Sequence, residues 1–338
     1  MTYPKVRLRR LRENPVLRSV LSEHTLSKKD LVQPLFVKEG LTRPKEIGSM
    51  PGQFQHSISS LADEAARTQA AGVPAVILFG IPRQKDATSR QGFSKSGIVQ
   101  KAVATVKKRC PGLLVITDVC LCEYTSHGHC GHIVKGRVDN DSSVKILAKI
   151  ALSHAQVGAD VVAPSDMMDG RVGAIRLQLD GKGFKHLPII SYAVKYASSF
   201  YTPFREAAES KPQPFGGAVP PHGGMPSLED RTGYQMNPAN AKEALREAET
   251  DLAEGADIIL VKPALSYGDI IQRVREKFGC PVGAYCVSGE YAMIKSAAAK
   301  GILDEKKAVL ETHLGLKRAG ASLLFTYWAK DIARWIRK

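Results

Sequence analysis

The 338-residue sequence lacks several features that would mark a membrane, secreted or dinucleotide-binding protein. No apolar run approaches the roughly 20 residues that a bilayer-spanning helix needs. The first residues are basic and polar, without the apolar core or cleavage site of a signal peptide. No glycine-rich phosphate fingerprint follows an apolar run, which weighs against a Rossmann unit. We therefore expect a cytoplasmic protein without membrane contact.

Acidic residues are much fewer than basic ones. The chain has 33 acidic and 48 basic residues, and its formal net charge is +15. Residues 1–29 hold eight of the basic residues against Glu13 and Glu23, so this short segment alone carries +6. The remaining excess is spread over helical segments without an aromatic-interleaved stripe. An anionic small substrate or a subunit contact therefore explains the charge better than a nucleic-acid partner does.

Cysteine is scarce outside one short stretch. Cys120, Cys122 and Cys130, which we name the cysteine trio, lie within residues 118–132, and that stretch begins where the apolar run 113–117 ends. In a reducing cytosol such a cluster indicates a metal site rather than disulfides. Three thiolates leave a tetrahedral zinc ion one open position, as catalytic zinc sites require. A redox pair or buried free thiols remain as alternatives.

The spacing of the other histidines and cysteines is less typical of a metal site. His127, His129 and His132 offer a fourth ligand or supporting groups next to the cysteine trio. The spacing Cys-x-Cys differs from the Cys-x2-Cys of a zinc ribbon, which argues against a purely structural zinc site. The remaining cysteines are interpreted as core or surface residues: Cys110, Cys280 and Cys286.

Apolar, β-branched-rich runs recur along the chain and are typical of strands buried on both faces. Helical patterns separate them, and strand–helix alternation repeated eight times over about 300 residues predicts a (β/α)8 TIM barrel. A doubly wound sheet is the alternative. The predicted strands are 32–37, 75–80, 113–119, 161–165, 188–194, 257–261, 281–287 and 322–327, and the predicted helices are 59–71, 97–109, 142–157, 238–254, 267–278, 291–300, 305–319 and 328–337.

Two segments depart from this rhythm. Residues 1–30 have little apolar periodicity and are predicted to form an extended arm that contacts a neighbouring subunit, ahead of a catalytic barrel over residues 31–338. Residues 201–237, the lid segment, separate a strand from the next helix by an unusually long stretch rich in proline and glycine. Such a loop inside a compact domain is typically a lid or disordered, and its position on the active face of a barrel favours a lid.

Two lysines stand where apolar runs end. Lys195 follows the predicted fifth strand and Lys262 follows the sixth. In this type of barrel the catalytic groups lie at the C-terminal ends of the strands, so neighbouring strands bring the two amines together. Burial and a second cation both lower the pKa of a lysine, and a neutral amine attacks a carbonyl to form a Schiff base. A lysine that snorkels to solvent or pairs with a carboxylate is the alternative for either residue alone.

Two arginines bracket the lid segment. Arg205 opens it and Arg231 closes it. A guanidinium fork binds a carboxylate through two hydrogen bonds, although solvated loop arginines are the alternative. Together these residues predict a small anionic carbonyl substrate that is handled by Schiff-base and zinc chemistry under a lid.

With these residues the sequence resembles the porphobilinogen synthase (5-aminolevulinate dehydratase) family from about Arg9 to the C-terminus. The resemblance implies a TIM barrel, a homo-octamer in which the arm embraces a neighbour, and condensation of two 5-aminolevulinate molecules to porphobilinogen with loss of two waters in tetrapyrrole (heme) biosynthesis. The segments that carry it are 9–12, 34–37, 118–131, 165–171, 195–205, 262–263, 287–291 and 318–321.

The resemblance also implies roles for individual residues. Lys262 holds the substrate that supplies the propionate side, and Ser288 and Tyr327 bind its carboxylate. Lys195 holds the second substrate, whose carboxylate meets the lid residues Arg205, Arg231 and Gln235.

The cysteine trio matches the zinc ligands of the zinc-dependent branch, whereas the magnesium-type branch has acidic residues at those positions. Glu247 matches a glutamate that serves an allosteric magnesium ion in many members. The resemblance places five more residues on the pocket wall: Asp118, Ser165, Tyr192, Tyr201 and Phe204.

The sequence departs from the family pattern in the lid segment, which carries an inserted stretch near 211–227. Gly233 stands where some members have a cysteine for a second zinc, and Thr232 replaces the usual basic residue. Two other functions remain as alternatives. A Schiff-base aldolase on the same barrel leaves the cysteine trio without a role, and a zinc-dependent nucleic-acid-binding protein leaves the lysines and the lid segment unexplained.

Overall fold

The computed structural model of the chain describes residues 2–213 and 228–336. Its strands are β1 (Leu31–Lys38), β2 (Lys45–Glu46), β3 (Phe54–His56), β4 (Ala75–Ile81), β5 (Leu114–Val119), β6 (His132–Val134), β7 (Arg137–Asp139), β8 (Val161–Pro164), β9 (Ile190–Lys195), β10 (Ile258–Lys262), β11 (Val282–Tyr285) and β12 (Leu323–Phe325).

The α-helices are α1 (Pro15–Val20), α2 (Ile58–Ala70), α3 (Ile98–Arg109), α4 (Asn140–Gln156), α5 (Arg171–Gly181), α6 (Thr202–Ala207), α7 (Lys242–Ala253), α8 (Gly268–Phe278), α9 (Ser288–Ala299), α10 (Glu305–Arg318) and α11 (Ala329–Trp335). Short 3-10 turns lie at Leu8–Leu11, Lys28–Asp30, Arg90–Phe93, Ser199–Tyr201 and Leu265–Tyr267. No helix of residues 2–213 and 228–336 is long and apolar enough to cross a membrane.

Eight parallel strands form a nearly closed barrel. Their order is β8-β5-β4-β1-β12-β11-β10-β9, and a parallel bridge between Val162 and Ile189 joins the two ends. Every residue of β4 and of β9 is buried, as expected for strands covered by helices outside and side chains inside. The predicted (β/α)8 barrel is therefore confirmed, and the doubly wound alternative is wrong.

Each predicted strand and helix coincides with an observed one to within a few residues, but the helices α5 and α6 and the short strands β2, β3, β6 and β7 were not predicted. Helix α5 was not predicted, because Gly173 lowers the helix propensity of its first turn and Gly170 at the N-cap has no side chain that could cap it. Its buried residues Val172, Ile175 and Leu179 nevertheless follow helical spacing. The connection from β8 to the parallel strand β9 requires this crossover, so the barrel overrides the weak local propensity.

The two unusual segments lie outside the barrel wall. No residue between 2 and 30 is buried, and the segment exposes large apolar side chains such as Leu8, Val16 and Val20. The lid segment begins with a 3-10 turn and the short helix α6 rather than an irregular loop. Residues 214–227, which include most of the predicted insertion, lie outside the described part of the chain.

Helix α9 approaches the start of the lid segment closely. Ser288 Oγ accepts a hydrogen bond from the Phe204 amide at 2.9 Å and donates to the Phe200 carbonyl at 3.2 Å. At the next position a Cβ atom built on Gly289 would lie 2.6 Å from both Cα and O of Phe200. Only glycine allows the helix to approach this backbone, so Gly289 fixes the position of the residues that follow Phe200.

We expect Gly289→Ala to lower stability by about 1–3 kcal/mol, because the added methyl group meets backbone that cannot turn away as a side chain would. Thermal or denaturant unfolding measures the loss. Gly268→Ala is the matched control, because a Cβ there meets nothing within 4 Å. Equal stability of the two variants would contradict the close approach.

Candidate active site

The C-terminal ends of β9 and β10 bring two lysines together. Lys195 is the last residue of β9, Lys262 is the last residue of β10, and the two are direct partners in the parallel register. Their exposed fractions are only 4% and 5%. Two ammonium groups at adjacent strand ends repel each other, and burial penalises each charge further.

Aromatic rings surround the Lys262 amine. Its Nζ lies 4.4 Å from the ring centroid of Tyr285, 4.9 Å from Phe204, 5.1 Å from Tyr192 and 5.4 Å from Tyr201. The rings attract a cation but cannot replace the water that burial removes. Burial, followed by repulsion from Lys195, lowers the pKa of Lys262 from 10.5 to about 7.

Lys195 has a different environment. Its Nζ donates a hydrogen bond to the carbonyl of Ser165, at the end of β8. Burial disfavours the ammonium, but the nearby negative charge, above all that of the Cys130 thiolate, outweighs it and raises the pKa of Lys195 above its usual value. Near neutral pH the barrel mouth therefore holds one readily neutral amine beside one ammonium.

The cysteine trio converges after β5. All three residues are buried, and their sulfur atoms lie within 4.8 Å of one another. The sulfur atoms of Cys120 and Cys122 are 3.4 Å apart, far beyond a disulfide bond and compatible with ligation of a common ion. Hydrogen bonds from the other two thiols lower the pKa of Cys130, whereas burial raises that of Cys120. A bound cation removes the cost of ionising all three, so the donor set fits zinc.

Each histidine near the trio has at least one other partner, and His127 Nδ1 accepts the His129 amide at 3.1 Å. His129 Nδ1 lies 3.2 Å from the hydroxyl of Tyr234 and its Nε2 lies 2.9 Å from the Leu228 carbonyl, while His132 Nδ1 faces the hydroxyl of Ser142 at 3.3 Å. Within the described part of the chain no histidine belongs to a group of metal-binding geometry. Supporting roles therefore suit the imidazoles better than ligation.

Two carboxyl groups flank the trio. Asp118 and Glu123 form a second group of ligand atoms with Cys120. Burial, followed by repulsion from Glu123, raises the pKa of Asp118 well above its usual value, while Lys195 opposes that shift. Burial also raises the pKa of Glu123. Asp118 was predicted as a pocket residue, whereas Glu123 was assigned no role, although it stands in the same stretch of sequence.

The arginines of the lid segment lie near each other. Arg231 is buried, and its Nη2 donates to the carbonyls of Gly128 and Ser210 at 2.9 and 2.7 Å. Arg205 is half-buried, and burial followed by repulsion from Arg231 lowers its pKa. Nε of each arginine and both amide atoms of the buried Gln235 find no hydrogen-bond partner in residues 2–213 and 228–336. Because unpaired buried polar atoms are costly, this convergence suits an anionic ligand.

The remaining predicted residues line the Lys262 side. Tyr201 donates to the carbonyl of Lys262 at 3.1 Å, and the Tyr327 hydroxyl lies 3.5 Å from that of Tyr285. Ser288 is wholly buried and already bonded to the backbone at Phe200 and Phe204. Tyr285 was not predicted as a site residue, although it ends β11 and so obeys the rule that located the lysines.

Glu290 is a second residue that sequence reasoning missed. Its carboxylate accepts the Leu265 amide at 2.8 Å and the Val287 amide at 2.7 Å. It therefore ties the backbone after Lys262 to the backbone before Ser288. Burial raises its pKa to about 7. Nothing in a helical Ser-Gly-Glu-Tyr sequence distinguishes such a buried carboxylate from a solvated one.

Glu247 lies apart from the lysines. It is half-buried on α7 and, with Asp169, Asn140 and Glu243, lines a cavity of about 510 Å³ that extends to Gln235. Burial raises its pKa, while Arg171 opposes that shift. Among the described residues Glu247 belongs to no group of three ligand atoms within metal-binding distance.

The geometry combines paired amines, a thiol cluster suited to a metal, and an anion-binding wall. The family sequence model described as delta-aminolevulinic acid dehydratase matches residues 5–335. This chain belongs to the delta-aminolevulinic acid dehydratase family.

Individual relatives agree over nearly the whole chain. The delta-aminolevulinic acid dehydratase of Synechocystis sp. is 52% identical over 339 residues, which cover 99% of each sequence. That of Bacillus subtilis is 49% identical and covers 98% of each sequence. A crystal structure of the Toxoplasma gondii enzyme with the reaction product porphobilinogen has a TM-score of 0.92 at 41% identity, covering 98% of this chain and 91% of that one.

These matches confirm the function that the sequence predicted. The chain is a 5-aminolevulinate dehydratase, a lyase of tetrapyrrole biosynthesis. The aldolase and nucleic-acid-binding alternatives are therefore wrong.

The environment of Lys262 predicts a pH dependence for this family member. A pKa of about 7 means that the amine becomes neutral, and hence nucleophilic, as the pH rises through 7. We expect the rate of borohydride-trapped adduct formation at Lys262 to increase through that pH and then level off.

Lys195→Met is the matched comparison for this titration. It removes the neighbouring positive charge, so the midpoint for Lys262 should move to higher pH. A midpoint near that of an ordinary lysine in the unaltered chain would contradict the proposed desolvation.

Proposed function

We propose that Lys262 and Lys195 each form a Schiff base with one molecule of 5-aminolevulinate, and that the pocket condenses the two molecules to porphobilinogen with loss of two waters. The register of β9 and β10 is the observation that supports the assignment best, because Lys195 and Lys262 are buried strand partners at the same barrel edge. Two tethered ketones at adjacent strand ends react as if intramolecular. The unlike surroundings of the two lysines suit an asymmetric condensation.

Lys262 holds the substrate that supplies the propionate side. Its lowered pKa and its aromatic surroundings favour attack by the neutral amine on the ketone. Tyr327 and Ser288 bind the carboxylate of this substrate. Ser288 uses its hydroxyl for backbone contacts in the structure, so binding there exchanges one of these hydrogen bonds for one to the carboxylate.

Lys195 holds the second substrate, and Arg205, Arg231 and Gln235 bind its carboxylate. The uncommitted Nε atoms and the buried amide described above support this assignment, since a carboxylate satisfies several such donors at once. The carbonyl of Ser165 holds the amine of Lys195 in place before the substrate arrives. Asp118 and Tyr192 line the space between the two lysines.

The cysteine trio would hold a catalytic zinc ion. When bound, zinc polarises a carbonyl or acidifies a water molecule at its open position. Asp118 and Glu123 stand beside the trio, and burial raises the pKa of both carboxyl groups, so they are suited to exchange protons with the reacting substrates. The buried walls around them exclude bulk water from the reacting groups.

Further assignments concern assembly, regulation and location. The exposed apolar side chains of residues 2–30 support an arm that packs on a neighbouring subunit in a homo-octamer, which light scattering of the full chain tests.

The lid segment would close over the second substrate. Glu247 would serve an allosteric magnesium ion, tested by magnesium titration of the Glu247→Gln variant. The free thiols of the trio suit the reducing cytoplasm.

Borohydride trapping tests the central assignment. We expect incubation with 5-aminolevulinate and borohydride, followed by peptide mapping, to place reduced adducts on Lys262 and Lys195. Lys85 is an internal control, because burial lowers its pKa too, although no second lysine is its strand partner. Adducts at neither strand-end lysine, or equally at Lys85, would refute the Schiff-base roles.

Metal analysis tests the trio. We expect Cys122→Ser to reduce bound zinc from about one ion per chain to near zero, because two thiolates hold zinc far less tightly than three. The matched control is Cys280→Ser, a half-buried thiol outside the trio. Retention of zinc by the first variant, or equal loss in both, would disprove the site.

A further inference from the structure

Arg171, the first residue of α5, is a buried cation that the mechanism above does not use. The residue is 1% exposed, and it stands at the junction between β8, β9 and α7. A buried guanidinium stays charged and must find acceptors for its donors. The groups that the guanidinium contacts indicate its role.

The guanidinium makes a bidentate contact with Asp251 on α7. Nη2 lies 2.9 Å from Asp251 Oδ2 and Nη1 lies 3.2 Å from Oδ1. Nη2 also donates to the hydroxyl of Ser191 at 3.1 Å, and that hydroxyl donates to Asp251 Oδ2 at 2.5 Å. Ser191 belongs to β9, four residues before Lys195, so the network holds the strand that carries this lysine.

The same guanidinium also holds the turn after β8. Nη1 donates to the carbonyl of Met168 at 3.2 Å, and Nε faces Asp166 Oδ1 at 3.7 Å. Asp166 in turn accepts the Met168 amide at 2.8 Å. Between them Met167 has a φ of +70°, a left-handed conformation that a methionine adopts only when its surroundings impose it.

This turn begins at Ser165, whose carbonyl accepts the hydrogen bond from Lys195 Nζ. One guanidinium therefore ties together both halves of that contact: the turn that carries the acceptor and the strand that carries the lysine. Stability alone explains such a network poorly, because buried ion pairs are often no more stabilising than apolar side chains of similar volume. A requirement to hold the Lys195 amine and the Ser165 carbonyl in fixed positions explains the network better.

We propose that Arg171, with Asp251 and Ser191, is a positioning residue that aims the Lys195 amine at the second substrate. The inference rests on the proposed Schiff-base role of Lys195. Lys262 is held differently, by the aromatic rings and by the Tyr201 hydroxyl on its carbonyl. Loss of the network should therefore affect one lysine and spare the other.

The test is borohydride trapping with 5-aminolevulinate in the full-length Arg171→Lys variant. Lysine keeps the charge but loses the planar fork that contacts Asp251, Ser191 and Met168 together. We expect the adduct at Lys195 to fall between about 10- and 100-fold, the cost of misplacing a reacting group by about an ångström. The adduct at Lys262 should change by less than about twofold, and KM should rise as binding of the second substrate weakens.

Three further variants sharpen the result. Ser191→Ala removes only one hydroxyl, so it should fold even if Arg171→Lys does not, and it should give a smaller loss in the same direction. Arg171→Lys combined with Asp251→Glu lengthens the carboxylate toward the shorter cation and should restore part of the Lys195 adduct. Arg176→Lys is the matched control, because it lies on the same helix but bonds Asp180 and the carbonyls of Phe184 and Leu187.

Three outcomes would overturn the inference. Unchanged Lys195 labelling in both folded Arg171→Lys and Ser191→Ala would show that the network does not aim the amine. An equal loss of adduct at both lysines, together with a lower melting temperature, would show that the network stabilises the whole fold and does not position Lys195 in particular. An unaltered chain that labels Lys262 but never Lys195 would remove the proposed role of Lys195, and this inference with it.

Discussion

The parallel pairing of β9 with β10 is the constraint on which the site depends. It puts Lys195 and Lys262 opposite each other at the carboxyl edge of a closed barrel, where helices and the start of the lid segment exclude water. Burial and mutual repulsion destabilise two ammonium groups in such a place, so at least one amine loses its proton more easily than a free lysine does. An amine that is readily neutral near pH 7 is thus a consequence of strand register and burial rather than of a special side chain.

The surroundings of the two amines then make them chemically unequal. Rings of Tyr285, Phe204, Tyr192 and Tyr201 enclose Lys262, and they supply no full negative charge. Lys195 instead lies near the cysteine trio, in which the Cys130 thiolate favours its ammonium form. A zinc ion held by the trio, as proposed, would neutralise part of that negative charge and so make the Lys195 ammonium easier to deprotonate.

The backbone around these groups is held by buried charges rather than by apolar packing alone. Arg171 ties the turn after β8 to β9 and α7, and Glu290 ties the segment after β10 to the start of α9. Gly289 lets α9 touch the backbone that leads into the lid segment. Each of these contacts joins neighbouring βα units, so the mouth of the barrel is braced from one strand end to the next.

Local sequence patterns predict the barrel, the ends of its strands and the residue types that gather at its mouth. Continuous apolar runs predict doubly buried strands, and a side chain at the end of such a run must lie at the mouth. Lys195, Lys262 and the cysteine trio were found by that rule. Which groups meet depends on the tertiary structure: the aromatic enclosure of Lys262, the Ser165 contact of Lys195 and the backbone contacts of Arg171 and Glu290. Burial and distance set these interactions, and both depend on segments far apart in the chain, which local patterns do not encode.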